Sequence, residues 1–319
     1  MRLQGCTAGM TALSLLAPHR TGIQRRHWKL PAAQYALLLP LILYVPIMYG
    51  YPIAYNVLVS FEDFTMHSVV TGHADFVGLK NLITVLRDPV TVLAIRNTAI
   101  FTVTSLLFQY VIGMALALLF VRRFPLNTFL RAVLLLPWLL PSIASVTAWL
   151  WLFDGMNGLL NYLLMEAHIL SRPVGWVDSP ETALSAIIIV NVWIGIPFNL
   201  VILYSGMQAI PRDLYEAAEI DGARGLQRFL YITLPNLAAI NAILLMLGLI
   251  HTLKQFDIIY ILTQGGPGNA TQVLSTWSYF LSFRSMKFGQ GAAVGDIMLV
   301  ISLVGAIWYA FFTRREISQ

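Results

Sequence analysis

The sequence predicts an all-α membrane protein with six transmembrane helices and both termini in the cytoplasm. Three observations carry this expectation. Of 319 residues, 58% are hydrophobic and only 11% are charged, whereas a soluble domain carries about a quarter charged residues. Apolar stretches of roughly twenty residues recur, the length a helix needs to cross a bilayer. The basic residues gather at the ends of those stretches, so membrane topology accounts for the net charge of +5. Nucleic acid is therefore not expected as a partner, whereas membrane lipid is. The single cysteine, Cys6, excludes an intrachain disulfide and offers no metal cluster.

Residues 1–33 read as a cytoplasmic tail. Their apolar patch, ALSLLA, is too short to span. The basic run PHRTGIQRRHWK stands where a cleaved leader would have small residues. Residues 34–314 form the membrane domain, and 315–319 a second cytoplasmic tail. The six spans are expected at Tyr35–Phe61, Thr98–Val121, Phe129–Phe153, Thr182–Met207, Leu237–Leu262 and Gly291–Phe312. Pro40, Pro46, Pro52, Pro137, Pro141 and Pro197 fall inside them. In a bundle, neighbouring helices can satisfy the carbonyls that proline frees, so kinks are expected there.

The direction follows from the bases. Arg20, Arg25, Arg26 and Lys29 precede span one. Arg122, Arg123 and Arg131 lie around the joint of spans two and three. Arg212, Arg224 and Arg228 join spans four and five, and Arg314 and Arg315 follow span six. Six spans put all four groups on one side, the cytoplasm. The opposite loops carry acids such as Glu62, Asp63, Asp75, Asp178 and Glu181.

The cytoplasmic connection at residues 209–236 is unusual. LYEAAEIDGARGLQRFLYITLP is a charged stretch between two strongly apolar ones. Pro211 suits the first turn of a helix, with Asp213 and Glu216 near its positive end. Asp221-Gly222 signals a turn, with Gly222 free to take φ > 0. A second short helix is expected from Ala223 to about Tyr231, with Phe229 and Ile232 on one face. The result is a helical elbow with small residues on one surface and charges around it. This stretch resembles the EAA motif of ABC importer permeases. FVGLKNL, LLLPWLLPSIASVTAWLWLF, NVWIGIPFNLVILYSGMQAIP and FDIIYILTQGGPGNAT resemble the carbohydrate-type members, which move sugars, polyols and glycerol phosphates and include the maltose system. The likeness covers residues 34–314. The chain lacks the extra spans and large outer domain of the enterobacterial maltose subunit.

This resemblance implies the type I ABC importer permease fold and a place in a bacterial cytoplasmic membrane. It implies that Glu216, Ala217, Ala218, Asp221, Gly222 and Ala223 dock into a cytoplasmic ATPase dimer. It further implies a second six-span permease, an extracytoplasmic solute-binding protein and a sugar-like solute. No G-x-x-x-x-G-K-[ST] phosphate loop and no H-E-x-x-H motif occurs. The chain is thus expected not to be an enzyme and to hold no cofactor, with ATP and Mg on the separate ATPase. The alternatives are a secondary transporter and a non-transporting docking subunit.

Polar groups inside a bilayer are costly, which makes them pathway candidates. His251, Lys254 and Gln255 share a helical face in span five, and Asp257 can pair with Lys254. At 1.5 Å per residue, Lys254 lies about 12 Å and His251 about 17 Å below the outer end of that span. Asn191 lies about 14 Å deep in span four and Asp296 about 8 Å deep in span six. One outer-half cavity ringed by these groups is expected. Trp149, Trp151, Trp193 and Tyr260 supply flat faces of the kind that pack on sugar rings. The loop Thr263–Gln272, with Gly265, Gly266, Pro267 and Gly268, is expected to form a tight turn capping span five near the docked binding protein.

Overall fold

The computed structural model describes residues 32–317. The tail, including Cys6, lies outside them. Helices follow one another throughout. In order they are α1 Ala32–Val45, a π-turn at Pro46–Gly50, α2 Tyr51–Ser60, α3 Met66–Thr71, α4 Lys80–Arg87, α5 Pro89–Val121, α6 Asn127–Leu134, α7 Leu136–Leu139 and α8 Ser142–Leu152. Then come α9 Leu159–Glu166, α10 Pro180–Ala209, α11 Arg212–Ile220, α12 Gly225–Arg228, a π-turn at Phe229–Thr233, α13 Leu234–Asn236 and α14 Ala238–Leu253. The chain ends through α15 Asp257–Leu262, α16 Leu274–Tyr279, a π-turn at Phe280–Arg284 and α17 Phe288–Ile317. Among the described residues no strand forms beyond isolated bridges. The chain divides into two compact units between Pro52 and Ile53. The first holds α1 and the first π-turn, and the second carries every helix from the body of α2 onward.

Leu38–Ser60, Pro89–Val121, Pro180–Ala209 and Phe288–Ile307 are each long and apolar enough to cross a membrane. Two bent pairs raise the count to six if each is one span: Asn127–Leu139 with Ser142–Leu152, bent by 97°, and Gly225–Asn236 with Ala238–Leu253, bent by 69°. Span three thus bends at the prolines where a kink is expected, while the 69° bend falls at Leu237, where span five is expected to begin. In span three the bend follows Leu139, where Pro141 removes a backbone donor and Leu140 turns extended. Pro197, by contrast, sits inside an unbroken α10.

The second span also starts earlier than Thr98. The Asp88 side chain accepts from the Val90 N–H at 2.8 Å, and Pro89 takes the first helical position. The resulting 33-residue helix runs about 50 Å, well beyond a hydrocarbon core of about 30 Å. It packs along α10 with very close backbones. A Cβ added at Gly113 would lie 2.6 Å from the Asn199 Cβ and 3.3 Å from the α10 backbone. A Cβ at Gly195 would run into the Gln109 side chain. In that space Gln109 Nε2 donates to the Asn191 carbonyl at 2.9 Å. Small residues and a buried interhelical hydrogen bond are what hold helices together where lipid cancels the hydrophobic drive.

Three apolar clusters fill this body. One joins α5, α8, α10 and α15 through Phe101, Val146, Ile187 and Ile259. A second joins α5, α10 and α14 through Met114, Phe120, Leu203 and Leu244. A third joins α4, α5, α16 and α17 through Val85, Ala94, Trp277 and Val294.

Candidate functional site

The elbow forms as its local signals dictate. Pro211 caps α11 and Asp213 lies in its first turn. At the other end the Ala223 N–H reaches the Ala218 carbonyl at 2.8 Å and the Gly222 N–H reaches the Glu219 carbonyl at 3.1 Å. This is the Schellman pattern, and its left-handed residue is Gly222 at φ +75°. A Cβ at Gly222 would meet nothing within 4 Å. Backbone sign alone, not space, calls for glycine here. The second helix begins with α12 and continues through the π-turn at Phe229–Thr233 and α13, a helical run Gly225–Asn236 that passes the expected end near Tyr231.

One face of the elbow is anchored. Tyr215, Phe229 and Ile232 pack on the cluster at the ends of α5 and α10. The Tyr215 hydroxyl and Thr233 Oγ1 lie 2.9 Å apart, and Glu219 pairs with Arg228 at 3.5 Å across the turn. The other face is bare. Glu216, Ala217, Asp221 and Gly222 are exposed, while Ala218 and Ala223 are half-buried. Ile220 is 88% exposed, Tyr231 78% and Leu226 70%. Sequence reasoning passed over these three apolar residues. The signal was there: Ile220 lies one turn from both Glu216 and Ala217, on the same side of α11.

The interior candidates are arranged differently from the expectation. α14 ends at Leu253, so His251 is the last of the three to sit in that helix. Lys254 caps it and Gln255 lies in the break. Asp257 does not pair with Lys254; its Oδ2 accepts from Ser142 Oγ at 3.3 Å. No glycine or proline marks this break. Its cause is tertiary: α15 turns to bury Ile258 and Ile259 against Val146 and Phe153, and Ser275 Oγ donates to the freed Gln255 carbonyl at 2.7 Å. Ser142 opens α8 just after the bend in span three, so the two discontinuities meet at the Asp257–Ser142 contact. Non-helical backbone at membrane depth persists only where protein or a water-filled cavity satisfies it.

Asn191 is buried against α5, and its side-chain Nδ2 has no protein acceptor. Trp193 meets Trp149 edge to face at 5.7 Å, while Trp151 is exposed. Tyr260 belongs to an aromatic group with Phe256 at 5.0 Å and Tyr279 at 5.1 Å. Arg284 Nη2 reaches its hydroxyl at 3.4 Å. Phe256, Tyr279 and Arg284 were missed because fold, not spacing, brings α16 onto α15. Asp296 stands apart from this group. Its Oδ1 accepts from Asn56 Nδ2 at 2.8 Å, and it lines a cavity of about 230 Å³ with Val57, Leu79, Leu82 and Val300. None of the other seven pathway candidates lines that cavity. The loop after α15 is the tight turn expected, with Gly265 at φ +89° and Gly268 at +56°. Asn97 of α5 ties it down by donating to the Ala270 and Gln272 carbonyls at 2.9 and 3.0 Å.

Comparison with known proteins bears on this geometry. Residues 109–318 match the family described as "Binding-protein-dependent transport system inner membrane component". The trehalose/maltose transport system permease protein MalF of Thermococcus litoralis is 36% identical over 86% of this chain and 91% of its own. The sulfoquinovosyl glycerol transport system permease protein SmoG of Agrobacterium fabrum is 32% identical over 88% of this chain and 90% of its own. Among solved structures, a bacterial ABC transporter involved in the import of the acidic polysaccharide alginate superposes with a TM-score of 0.77 at 24% identity, over 89% of this chain and 96% of that one. That likeness speaks to the fold. The chain belongs to the binding-protein-dependent transport system inner membrane components: it is a multi-pass permease subunit of the cytoplasmic membrane in an ABC transporter, not itself an enzyme, with ATP hydrolysis on a separate subunit.

Proposed function

We propose that this permease spans the membrane six times with both termini in the cytoplasm and forms half of the import pathway for a sugar-like solute. The bare face of the elbow carries the reading. α11 is anchored on one side to the ends of α5 and α10 and presents Glu216, Ala217 and Ile220 on the other. Such a face fits a cleft on a cytoplasmic ATPase dimer that binds ATP and Mg. Asp221, Gly222, Ala218 and Ala223 hold its shape. The permease names of the trehalose/maltose and sulfoquinovosyl glycerol relatives favour a sugar or glycoside as solute. The solute would pass the junction of the two broken spans, near His251, Lys254, Gln255, Asp257 and Tyr260, with Asn191 and Trp193 alongside and Asp296 on the α17 side. A second, different six-span permease would complete the pathway. The turn at Thr263–Gln272 would meet an extracytoplasmic solute-binding protein.

The test is uptake and ATP hydrolysis measured together in reconstituted vesicles. Glu216→Lys reverses a charge at the contact and should weaken ATPase binding. Wild-type coupling in both Glu216→Lys and Gly222→Val would return the elbow to a solvated connector. Purification of the intact transporter with copies of this chain as its sole permease would remove the second permease.

A further inference from the structure

The end of α5, the turn after it, α6, α10 and the first residue of α11 converge on a polar cavity of about 330 Å³. Arg122 and Arg123 come from the turn, Arg131 from α6 and Arg212 from the root of the elbow. Tyr204 and Gln208 of α10 stand beside them. No carboxylate lines the cavity. Among the described residues none of these four guanidiniums has a carboxylate oxygen within 4.0 Å; the ion pairs are His73–Asp75 and Glu219–Arg228.

The walls are fixed. Asn127 Nδ2 donates to the Phe120 and Arg122 carbonyls at 2.9 and 2.8 Å, closing the turn that carries Arg122 and Arg123. The Arg131 guanidinium lies 4.5 Å from the centroid of the Tyr204 ring. Its Nε is buried and has no protein acceptor. Gln208 Nε2 donates to the Tyr204 hydroxyl at 2.6 Å, which leaves that hydroxyl's own proton to give. Four like charges around one hollow repel one another unless a counter-charge fills it. The preference for bases on the cytoplasmic side explains why arginines occur here. It does not explain why three separate chain segments bring them to one cavity, or why a buried Nε lacks an acceptor.

Guanidinium forks match phosphate oxygens in pairs, with charge-assisted hydrogen bonds. A basic hollow at the ends of membrane helices suits a phosphate headgroup. We propose that this cavity is an anion site for a phosphate group, which ties Arg212 at the root of the elbow to α6 and the end of α5. Its occupancy then sets how firmly α11 moves with the membrane helices. An acidic phospholipid and a soluble phosphate share the chemistry.

The intact transporter, purified with its partner subunits and stripped of lipid, is titrated with short-chain phosphatidylglycerol, short-chain phosphatidylcholine and inorganic phosphate. Bound lipid is read by native mass spectrometry and bound phosphate by calorimetry. Saturable binding of phosphatidylglycerol or phosphate is expected, weakened roughly tenfold in Arg131→Gln and again in Arg123→Gln. Arg131→Lys keeps the charge but loses the fork, so its affinity should fall between, and it guards against a misfolded Arg131→Gln. Arg172→Gln removes an equal charge elsewhere and should bind as the parent does. Phosphatidylglycerol binding far above inorganic phosphate identifies a lipid ligand, and the reverse a soluble one. Absence of saturable binding by either probe, binding undiminished in Arg131→Gln and Arg123→Gln, or a partner subunit's carboxylate filling the cavity in the assembled complex overturns the proposal.

Discussion

Glycine does opposite work in the α5–α10 pair and in the elbow. At Gly113 a side chain has nowhere to go: its Cβ would press on Asn199 and on the α10 backbone, which cannot rotate away. At Gly222 a side chain would meet open space, and only the left-handed backbone resists it. The first glycine is part of how the body packs. The second is part of how a surface loop keeps one shape. The cluster that holds Tyr215 and Phe229 against α5 and α10 sets the packed pair and the elbow next to one another.

The sharpest break of that comparison is Gly113→Val against Gly222→Val. Overpacking a tight interface costs about 1–3 kcal/mol, more when the obstacle is backbone. Gly113→Val should therefore lose most of the folded, monodisperse protein in detergent. Gly222→Val adds about 1–2 kcal/mol of local backbone strain and no clash. It should keep its yield and melting temperature within a few degrees of the parent while uptake per ATP hydrolysed collapses. Equal losses of folded protein in both variants would erase the distinction between the two glycines.

Next in size is the polar contact inside the packed pair. Gln109→Leu removes the donor to the Asn191 carbonyl and places a branched side chain beside Gly195. An interhelical hydrogen bond in a membrane is worth about 0.6–2 kcal/mol, so the transporter should melt measurably earlier yet still assemble. Unchanged melting would mean that the α5–α10 contact rests on shape alone.

His251→Ala and Asn191→Ala probe the interior. Assembly should survive both. Uptake kinetics should change if these groups meet solute, and parental kinetics in both variants would strike them from the pathway.

How legible each feature was in the sequence depends on where its cause lies. The elbow could be read because its signals are local: Pro211, Asp213, Asp221-Gly222 and a charge run between apolar spans. The bend in span three had its mark in Pro137 and Pro141. The start of α5 at Asp88-Pro89 was also marked, but hydropathy finds where a helix enters lipid, not where it begins. The break after Leu253 carries no glycine or proline, because its cause is the burial of Ile258 and Ile259 against α8. Asp296 and Asn56 are 240 positions apart, and a side-chain period within one helix says nothing of such a partner. The pairing of Asp257 with Lys254 failed for the same reason: a helical spacing rule was applied across a stretch that is not helical.

The smallest effect belongs to the surface of the elbow. Arg228 and Glu219 link its two helices at 3.5 Å, with side-chain exposures of 32% and 71%. An exposed pair of this kind contributes about 0.2–1 kcal/mol and is screened by salt. The turn beneath it is already closed by two backbone hydrogen bonds and the Tyr215–Thr233 contact. Arg228→Ala should therefore lower coupling only slightly, and the deficit should vanish as salt is raised, since the parent loses the same pair to screening. The measurement is uptake per ATP hydrolysed at low and high ionic strength. A large, salt-independent loss in Arg228→Ala would place this residue in the contact with the ATPase itself, moving the docking face from α11 toward α12.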